Sequence, residues 1–218
     1  MKPKIIVFAS GSKTGGGSGF ENLVIQSRNN SDLNFEIVAV VSNHEHGGVR
    51  ERAERLGIPF VYFPGPFEAG EYQKIIRASG AQWVSLSGWL KLVLGLDPSK
   101  TFNIHPGPLP RFGGKGMYGI HVHEAVLEAF RKGELAHTEV TMHFVTPVYD
   151  EGPVFFRYPV PIEPDDTLES LARRINAVER QWQPKTTSLV VNGEIAWDGM
   201  NSHSLSVPQK YSFLDTAL

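Results

Sequence analysis

The chain reads as an α/β protein: a mainly parallel, twisted sheet flanked by helices, followed by a C-terminal part with an antiparallel strand and a long helix. Three observations predict it. Short β-rich apolar runs alternate with helix-patterned stretches from residue 5 to residue 104, as in a parallel sheet covered on both faces. Two unusual loops, 10–19 and 105–119, each follow such a run, and ligands of parallel sheets gather at the carboxyl ends of strands. After residue 120 the pattern changes to period-two strands and a long amphipathic stretch. At 218 residues, 41% hydrophobic and 20% charged, the chain has material for one sizeable core. A single domain is expected over 1–200, with a tail over 201–218 that has no clear period.

Each element has its own reason. "IIVFA" (5–9) is a continuous apolar run ending in a Gly/Ser loop, as a fully buried strand does. A helix follows in "FENLVIQSR", where Phe20, Leu23, Val24 and Ser27 share one face. "FEIVAVVS" (35–42) is the second strand, and "GGVRERAERLGIP" is a helix stopped by Gly57 and Pro59. "FVYF" (60–63) is the third strand, and a helix around 71–79 stops at Gly80. "QWVSLSG" (82–88) and "KTFNI" (100–104) are the fourth and fifth strands. "HVHEAVLEAFRKGEL" is helical. "TEVTMHFV" (138–145) alternates, with Val140, Met142 and Phe144 on one face and Thr141 and His143 on the other. "PVFFRYPVPI" (153–162) is a further strand, and its Pro159 and Pro161 assign its second half to a sheet edge. The last helix is expected from near Asp166 to about Trp182.

Composition narrows the function classes. A net charge of −2 is no electrostatic footprint for nucleic acid or an anionic membrane. The absence of cysteine excludes disulfides, thiolate metal sites and a Cys nucleophile. The first apolar run, Ile5 to Ala9, is too short for a signal-peptide core or a membrane span. The expectation is therefore a soluble cytoplasmic protein. No metal is expected: in "HVH" (121–123) the two imidazoles leave different faces of a helix, and no other metal-ligand spacing is met.

Four features could carry chemistry. "GSKTGGGSG" (11–19), between a strand and a helix, is placed to hold an anion on backbone N–H groups. It matches neither the P-loop nor the dinucleotide pattern, so a phosphate on a monosaccharide and a ligand-free flexible loop both remain open. Asn103 and His105 leave the same face of an extended strand, with Pro106 holding His105 out of helical geometry. They could donate to a developing oxyanion, or His105 could merely cap the strand end. Asp150, in an Asp-Glu-Gly-Pro turn, could bond its own backbone or face His105, raise its pKa and accept a proton. Glu179 interrupts the apolar stripe of Leu171, Ala172, Ile175, Val178 and Trp182 on the last helix; it needs either an Arg partner or a cationic ligand group. The glycines at 113, 114, 116 and 119 suggest a mobile cover beside the site.

The segments "FNIHPGPLPRFGGKG", "HFVTPVYDEGPV" and "VSNHEHGGVRERAERLGIP" resemble the formyltransferase family, in its phosphoribosylglycinamide branch, over about residues 4–200. The resemblance implies a Rossmann-like fold. It also implies transfer of a formyl group from the co-substrate 10-formyltetrahydrofolate to the amine of 5′-phosphoribosylglycinamide in purine biosynthesis. Another amine, such as an amino sugar, or hydrolysis of the formyl donor is the alternative. The resemblance thereby implies an enzyme with small-molecule partners, with a homodimer left open. By resemblance, Asn103, His105 and Asp150 are catalytic: His105 as imidazolium and Asn103 stabilise the oxyanion, while Asp150 supports His105 and proton transfer. Gly17, Ser18 and Gly19 correspond to the phosphate loop. Asn176, Ala177, Val178 and Glu179 correspond to the segment meeting the glycinamide, with Glu179 near its amine. Leu90, Lys91, Leu92 and Val93 correspond to the segment whose backbone reads the pterin. Thr146, Pro147, Val148, Tyr149 and Asp150 correspond to the loop closing over it, and Asn103 also borders the folate. His143 and His121 match histidines found beside the site. Gly19 stands where the family usually has Asn, and Gly70 where it often has Arg.

Overall fold

Residues 1–214, the part of the chain that the computed structural model describes, contain seven strands and five α-helices. They are β1 (Lys4–Phe8), α1 (Ser18–Asn29), β2 (Glu36–Ser42), α2 (Gly48–Leu56), β3 (Phe60–Tyr62) and α3 (Ala69–Ser79). Then come β4 (Trp83–Leu86), β5 (Thr101–His105), α4 (Ile120–Arg131), β6 (His137–Phe144), β7 (Val154–Pro161) and α5 (Leu168–Val191). The strands form one sheet in the order β3-β2-β1-β4-β5-β6-β7. The first five are parallel, and β6 and β7 join antiparallel. The proline-bearing β7 is an edge strand, as a strand lacking two ladder donors should be.

Alternate side chains of the central strands enter two cores. Ile5 and Val7 of β1 pack with Phe20 and Leu23 of α1, Val126 of α4 and Ile175 of α5. Ile6 and Phe8 pack on the other side with Tyr72 of α3, Trp89 and Val93. Both faces being covered explains why Ile5 to Phe8 are all buried and why β1 reads as an unbroken apolar run. The expected stripe of α1 is buried. Gly57 and Gly80 end α2 and α3 in the left-handed conformation, where a side chain would be strained. Among the described residues no helix is long and apolar enough to cross a membrane.

The structure extends α5 well past the expected end at Trp182, through Pro184 to Val191. A proline inside a helix leaves the carbonyl four residues earlier without its N–H partner. Here that carbonyl, on Arg180, accepts a 2.7 Å hydrogen bond from Asn22 Nδ2 of α1. A tertiary contact thus satisfies the group that the local rule leaves orphaned.

The start of α5 is anchored more strongly. Thr167 and Ser170 form a reciprocal capping box. Asp166, 3% exposed at its side chain, accepts from Arg174 Nη1 at 2.5 Å and Nη2 at 3.0 Å and from the Glu163 N–H at 2.8 Å. The Arg174 bond and, against burial, the Ser170 and Glu163 bonds hold this carboxyl well below the usual range. Asp166→Ala is expected to cost about 2–4 kcal/mol, since it strands a partly buried guanidinium. Thermal or denaturant unfolding measures the loss. Because the folded carboxyl titrates below its unfolded value, the contribution is full above about pH 4 and disappears as pH falls through the folded pKa.

The tail does not stand apart from the sheet. Phe213 packs on Trp182 and Phe156 with ring centroids 4.8 and 5.2 Å away, and its carbonyl accepts from the Arg157 N–H of β7 at 2.6 Å. The expectation for 201–218 also covers 215–218, which lie outside the described residues.

Candidate active site

The two unusual loops meet, as expected, at the carboxyl edge of the parallel strands. They border one cavity of about 800 Å³, together with residues 87–90 after β4 and one face of α5.

β5 and β6 build its centre. β5 runs one residue further than expected and ends on His105, paired with Thr141. Asn103 lies opposite His143 in the same antiparallel ladder, so strand register alone brings their side chains together. Asn103 Nδ2 lies 3.1 Å from His143 Nε2, and His143 Nδ1 lies 2.8 Å from the Phe144 carbonyl. A carbonyl only accepts, so the Nδ1–H of His143 donates to it and Nε2 accepts from the Asn103 amide. One N–H of that amide remains for a ligand.

Asp150 closes the group. It adopts φ 56, rare for a residue other than glycine, in the turn between β6 and β7. Its Oδ2 lies 3.9 Å from His105 Nδ1 and accepts from the Gly114 N–H at 2.9 Å; its Oδ1 lies 3.4 Å from His143 Nε2. Strain held at such a position belongs to sites where the surroundings over-determine a side chain's direction. Gly113 belongs to the same contact: a Cβ there would approach the Asp150 Cβ to 3.0 Å and Leu109 Cδ2 to 2.4 Å. The glycines at 113 and 114 therefore seat a carboxylate, while those at 116 and 119 have open space around them. Burial raises the Asp150 pKa, but the charge that His143 and His105 carry when protonated, together with the Gly114 N–H, outweighs it and keeps the carboxylate below its ordinary range.

His105 departs from the expected protonation. Its Nε2–H donates to the Phe112 carbonyl at 2.8 Å, leaving Nδ1 toward Asp150. Burial dominates and holds the ring below the ordinary histidine value; Asp150 and the Phe112 carbonyl oppose this only in part. That direction favours the neutral ring, against the expectation that Asp150 keeps an imidazolium.

The glycine loop lies on the other side of the cavity. Gly17, at φ 82, precedes α1 without a side-chain cap. The N–H groups of the first turn, at Ser18 and Gly19, have no partner within the helix, and Gly17, Ser18 and Gly19 all border the cavity. On α5, Asn176 and Glu179 face the cavity, and Asn176 Nδ2 donates to Glu179 Oε2 at 3.3 Å. No Lys or Arg pairs with Glu179 among the described residues, so the alternative of a structural Arg partner is not realised. Burial, eased by the Asn176 bond, pushes its carboxyl up to about 7. Ala177 and Val178 border no cavity. At 100° per residue they turn away from the face shared by Asn176 and Glu179, and Val178 packs on the core instead.

A narrower slot of about 50 Å³ shares Asn103 and Asp150 with the site and runs between residues 86–93 and 145–150. Lys91, Leu92, Val93, Thr146, Val148 and Tyr149 line it, while Leu90 lines the larger cavity. Its inner wall is held by a buried relay: Trp89 Nε1–H donates to the Tyr72 hydroxyl at 3.1 Å, which donates to the Leu92 carbonyl at 3.0 Å. Burial raises the Tyr72 pKa to about 12, so the hydroxyl remains a donor. Pro147 is exposed and lines neither space. It tops a turn closed beneath it by Thr146 Oγ1, which bonds the Val148 N–H and carbonyl at 3.3 and 3.1 Å.

Several cavity residues were not read from the sequence. His121, expected beside the site, is exposed and lies 3.3 Å from Glu124; His123, its companion in "HVH", is buried against the cavity. Ser87 and Gln183 also border it, the latter lying beyond the expected end of α5.

Comparison with known proteins agrees with this arrangement. Residues 3–187 match the family model described as Formyl transferase. "Phosphoribosylglycinamide formyltransferase, chloroplastic" of Arabidopsis thaliana is 33% identical over 207 residues, covering 90% of this chain and 68% of its own length. Phosphoribosylglycinamide formyltransferase of Bacillus subtilis (strain 168) is 32% identical over 191 residues, covering 83% and 91%. The crystal structure of glycinamide ribonucleotide transformylase 1 from Symbiobacterium toebii superposes with a TM-score of 0.79 at 27% identity, covering 95% of each chain. The seven-stranded sheet, the Asn103–His105–Asp150 centre and the match over 3–187 together identify the chain as a member of the formyl transferase family.

Proposed function

We propose that the chain transfers a formyl group from 10-formyltetrahydrofolate to the amine of 5′-phosphoribosylglycinamide, a step of purine biosynthesis. The observation that carries this reading is a single cavity that spans an uncapped helix N-terminus, an unpaired carboxylate and the Asn103–His105–Asp150 centre. These fit the phosphate, the amine and the reacting carbonyl of one transfer. The names of the relatives support the same assignment.

Each residue then has a task. The N–H groups of Ser18 and Gly19 hold the phosphate. Glu179, ionised by its contact with the substrate ammonium, positions the amine, which gives its extra proton to solvent before it attacks. The backbone of Leu90 to Val93 offers fixed donors and acceptors to the pterin. As the amine attacks the formyl carbon, the free N–H of Asn103 meets the developing oxyanion. The proton leaving the amine passes through water to the Asp150–His105 pair, and Nδ1 is the vacant imidazole position that receives it. The imidazolium then stands beside the oxyanion and returns the proton to the departing folate nitrogen. A C–N bond forms, a C–N bond breaks, and no covalent enzyme intermediate is needed.

Folate absorbance, followed with and without phosphoribosylglycinamide, tests the function. Product that appears only with the glycinamide supports it. Product in its absence indicates a hydrolase, and no product in either condition leaves a silent binding protein; both refute the proposal. Glu179→Gln is expected to raise KM for the glycinamide about 10-fold, the worth of one charge-assisted contact, with KM for the folate unchanged. In the wild type, kcat/KM for the glycinamide is expected to rise with pH through about 7 as Glu179 ionises, and the variant should lose that limb. A change in thermal stability alone would make Glu179 structural.

A further inference from the structure

Next to the phosphate position that this reading assigns lies a pair of side chains that nothing so far employs. Gln183 is 1% exposed, yet it borders the cavity, and its Nε2–H donates to Ser87 Oγ at 3.2 Å. A hydroxyl that accepts in this way still has its own proton to give, and the Ser87 hydroxyl donates to no group among the described residues. Ser87 follows β4 and also borders the cavity.

The position of this hydroxyl relative to α1 is tightly defined. A Cβ built on Gly19 would lie 2.3 Å from Ser87 Oγ and 3.2 Å from Gln183 Oε1. Gly19 therefore lacks a side chain for a steric reason: the Ser87–Gln183 pair fills the space beside the first turn of the helix. Ser87 and the residues carrying the free N–H groups of that turn border the same cavity. Gln183 is held there by its neighbours. Pro184 follows it, and Asn22 of α1 binds the Arg180 carbonyl that Pro184 leaves unpaired. That bond ties α5 to the helix whose first turn faces the cavity.

We propose that Ser87 is a phosphate ligand whose hydroxyl donates to the phosphomonoester of the substrate, and that Gln183 is the positioning residue that orients it. A donor from just after β4 and an orienting amide from α5 then supply, through space, what a side chain at position 19 would supply from the loop itself. The inference rests on the proposed function for the identity of the anion, and its test separates the two.

Titration of the full-length protein with inorganic phosphate by calorimetry probes the cradle without catalysis. Ser87→Ala is expected to weaken phosphate binding about 10-fold, as loss of one hydrogen bond to a charged group does. In turnover, the ratio of kcat/KM for phosphoribosylglycinamide to that for its dephosphorylated riboside should fall by a similar factor, with KM for the folate unchanged. Gln183→Leu should shift both readouts in the same direction, and thermal melting reports whether that buried substitution is tolerated. Unchanged phosphate affinity in Ser87→Ala, or an equal loss with the riboside, overturns the proposal whatever Gln183→Leu does. A wild-type protein that binds phosphate through Ser87 but forms no product would retain the cradle and discard the transferase.

Discussion

Replacing His105 with alanine is expected to lower kcat by about 10²–10⁴, the usual effect of removing a positioned acid–base group. The size follows from its place. The ring is buried, Nε2 is committed to the Phe112 carbonyl, and Nδ1 is open toward Asp150. Of the two imidazoles beside Asp150, only His105 offers this vacancy: His143 has both nitrogens engaged, by the Phe144 carbonyl and the Asn103 amide. The measurement is kcat at saturation with both substrates, with thermal melting as a control on folding. His105→Gln, which keeps a hydrogen-bonding side chain, guards against loss through the cavity alone. Near-wild-type turnover in both would remove His105 from the chemistry. The direction of the pH dependence is a separate check. Burial holds the ring below its ordinary value, so it loses its charge as pH rises through that depressed pKa. If the neutral ring is the working form, kcat climbs with pH there and is level at neutral pH. A fall over the same range would show that a resting imidazolium is required.

Asp150→Asn is expected to lower kcat by about 10²–10⁴ as well, with both Michaelis constants little changed. The substitution isolates the charge. Asn tolerates the left-handed conformation that Asp150 adopts at φ 56, and its side-chain oxygen still accepts from the Gly114 N–H. What disappears is the anion beside His105 Nδ1 and His143 Nε2. Without it, an imidazolium formed during attack has no counter-charge, and the proton relay loses its acceptor. Turnover close to wild type would make Asp150 a turn residue that merely seats the 113–114 segment.

Much of this arrangement was legible in the sequence because it depends on local pattern. Parallel strands announce themselves as apolar runs, and loops after parallel strands share an edge, which puts 10–19 beside 105–119. The two-residue spacing of Asn103 and His105 fixes a common face. The rest depends on contacts between distant segments. Pro184 signals a helix end, and the helix continues with Asn22 reaching across from α1 to the carbonyl that Pro184 orphans. That continuation hides Gln183 from a reading that stops at Trp182. The protonation of His105 is decided by its burial, which no local pattern records. The choice between His121 and His123 turns on which face of α4 is buried, and the exposure of Ala177 and Pro147 on the direction in which a helix face and a turn point.

The most direct test of the proposed transfer is to follow an isotopically labelled formyl group. Labelled 10-formyltetrahydrofolate, phosphoribosylglycinamide and the purified protein are mixed, and the products are separated by mass spectrometry. The expected result is label on the glycinamide nitrogen, one formyl for each tetrahydrofolate released. Label recovered as free formate, with the glycinamide unmodified, would contradict the transfer that the Asn103–His105–Asp150 centre is proposed to perform.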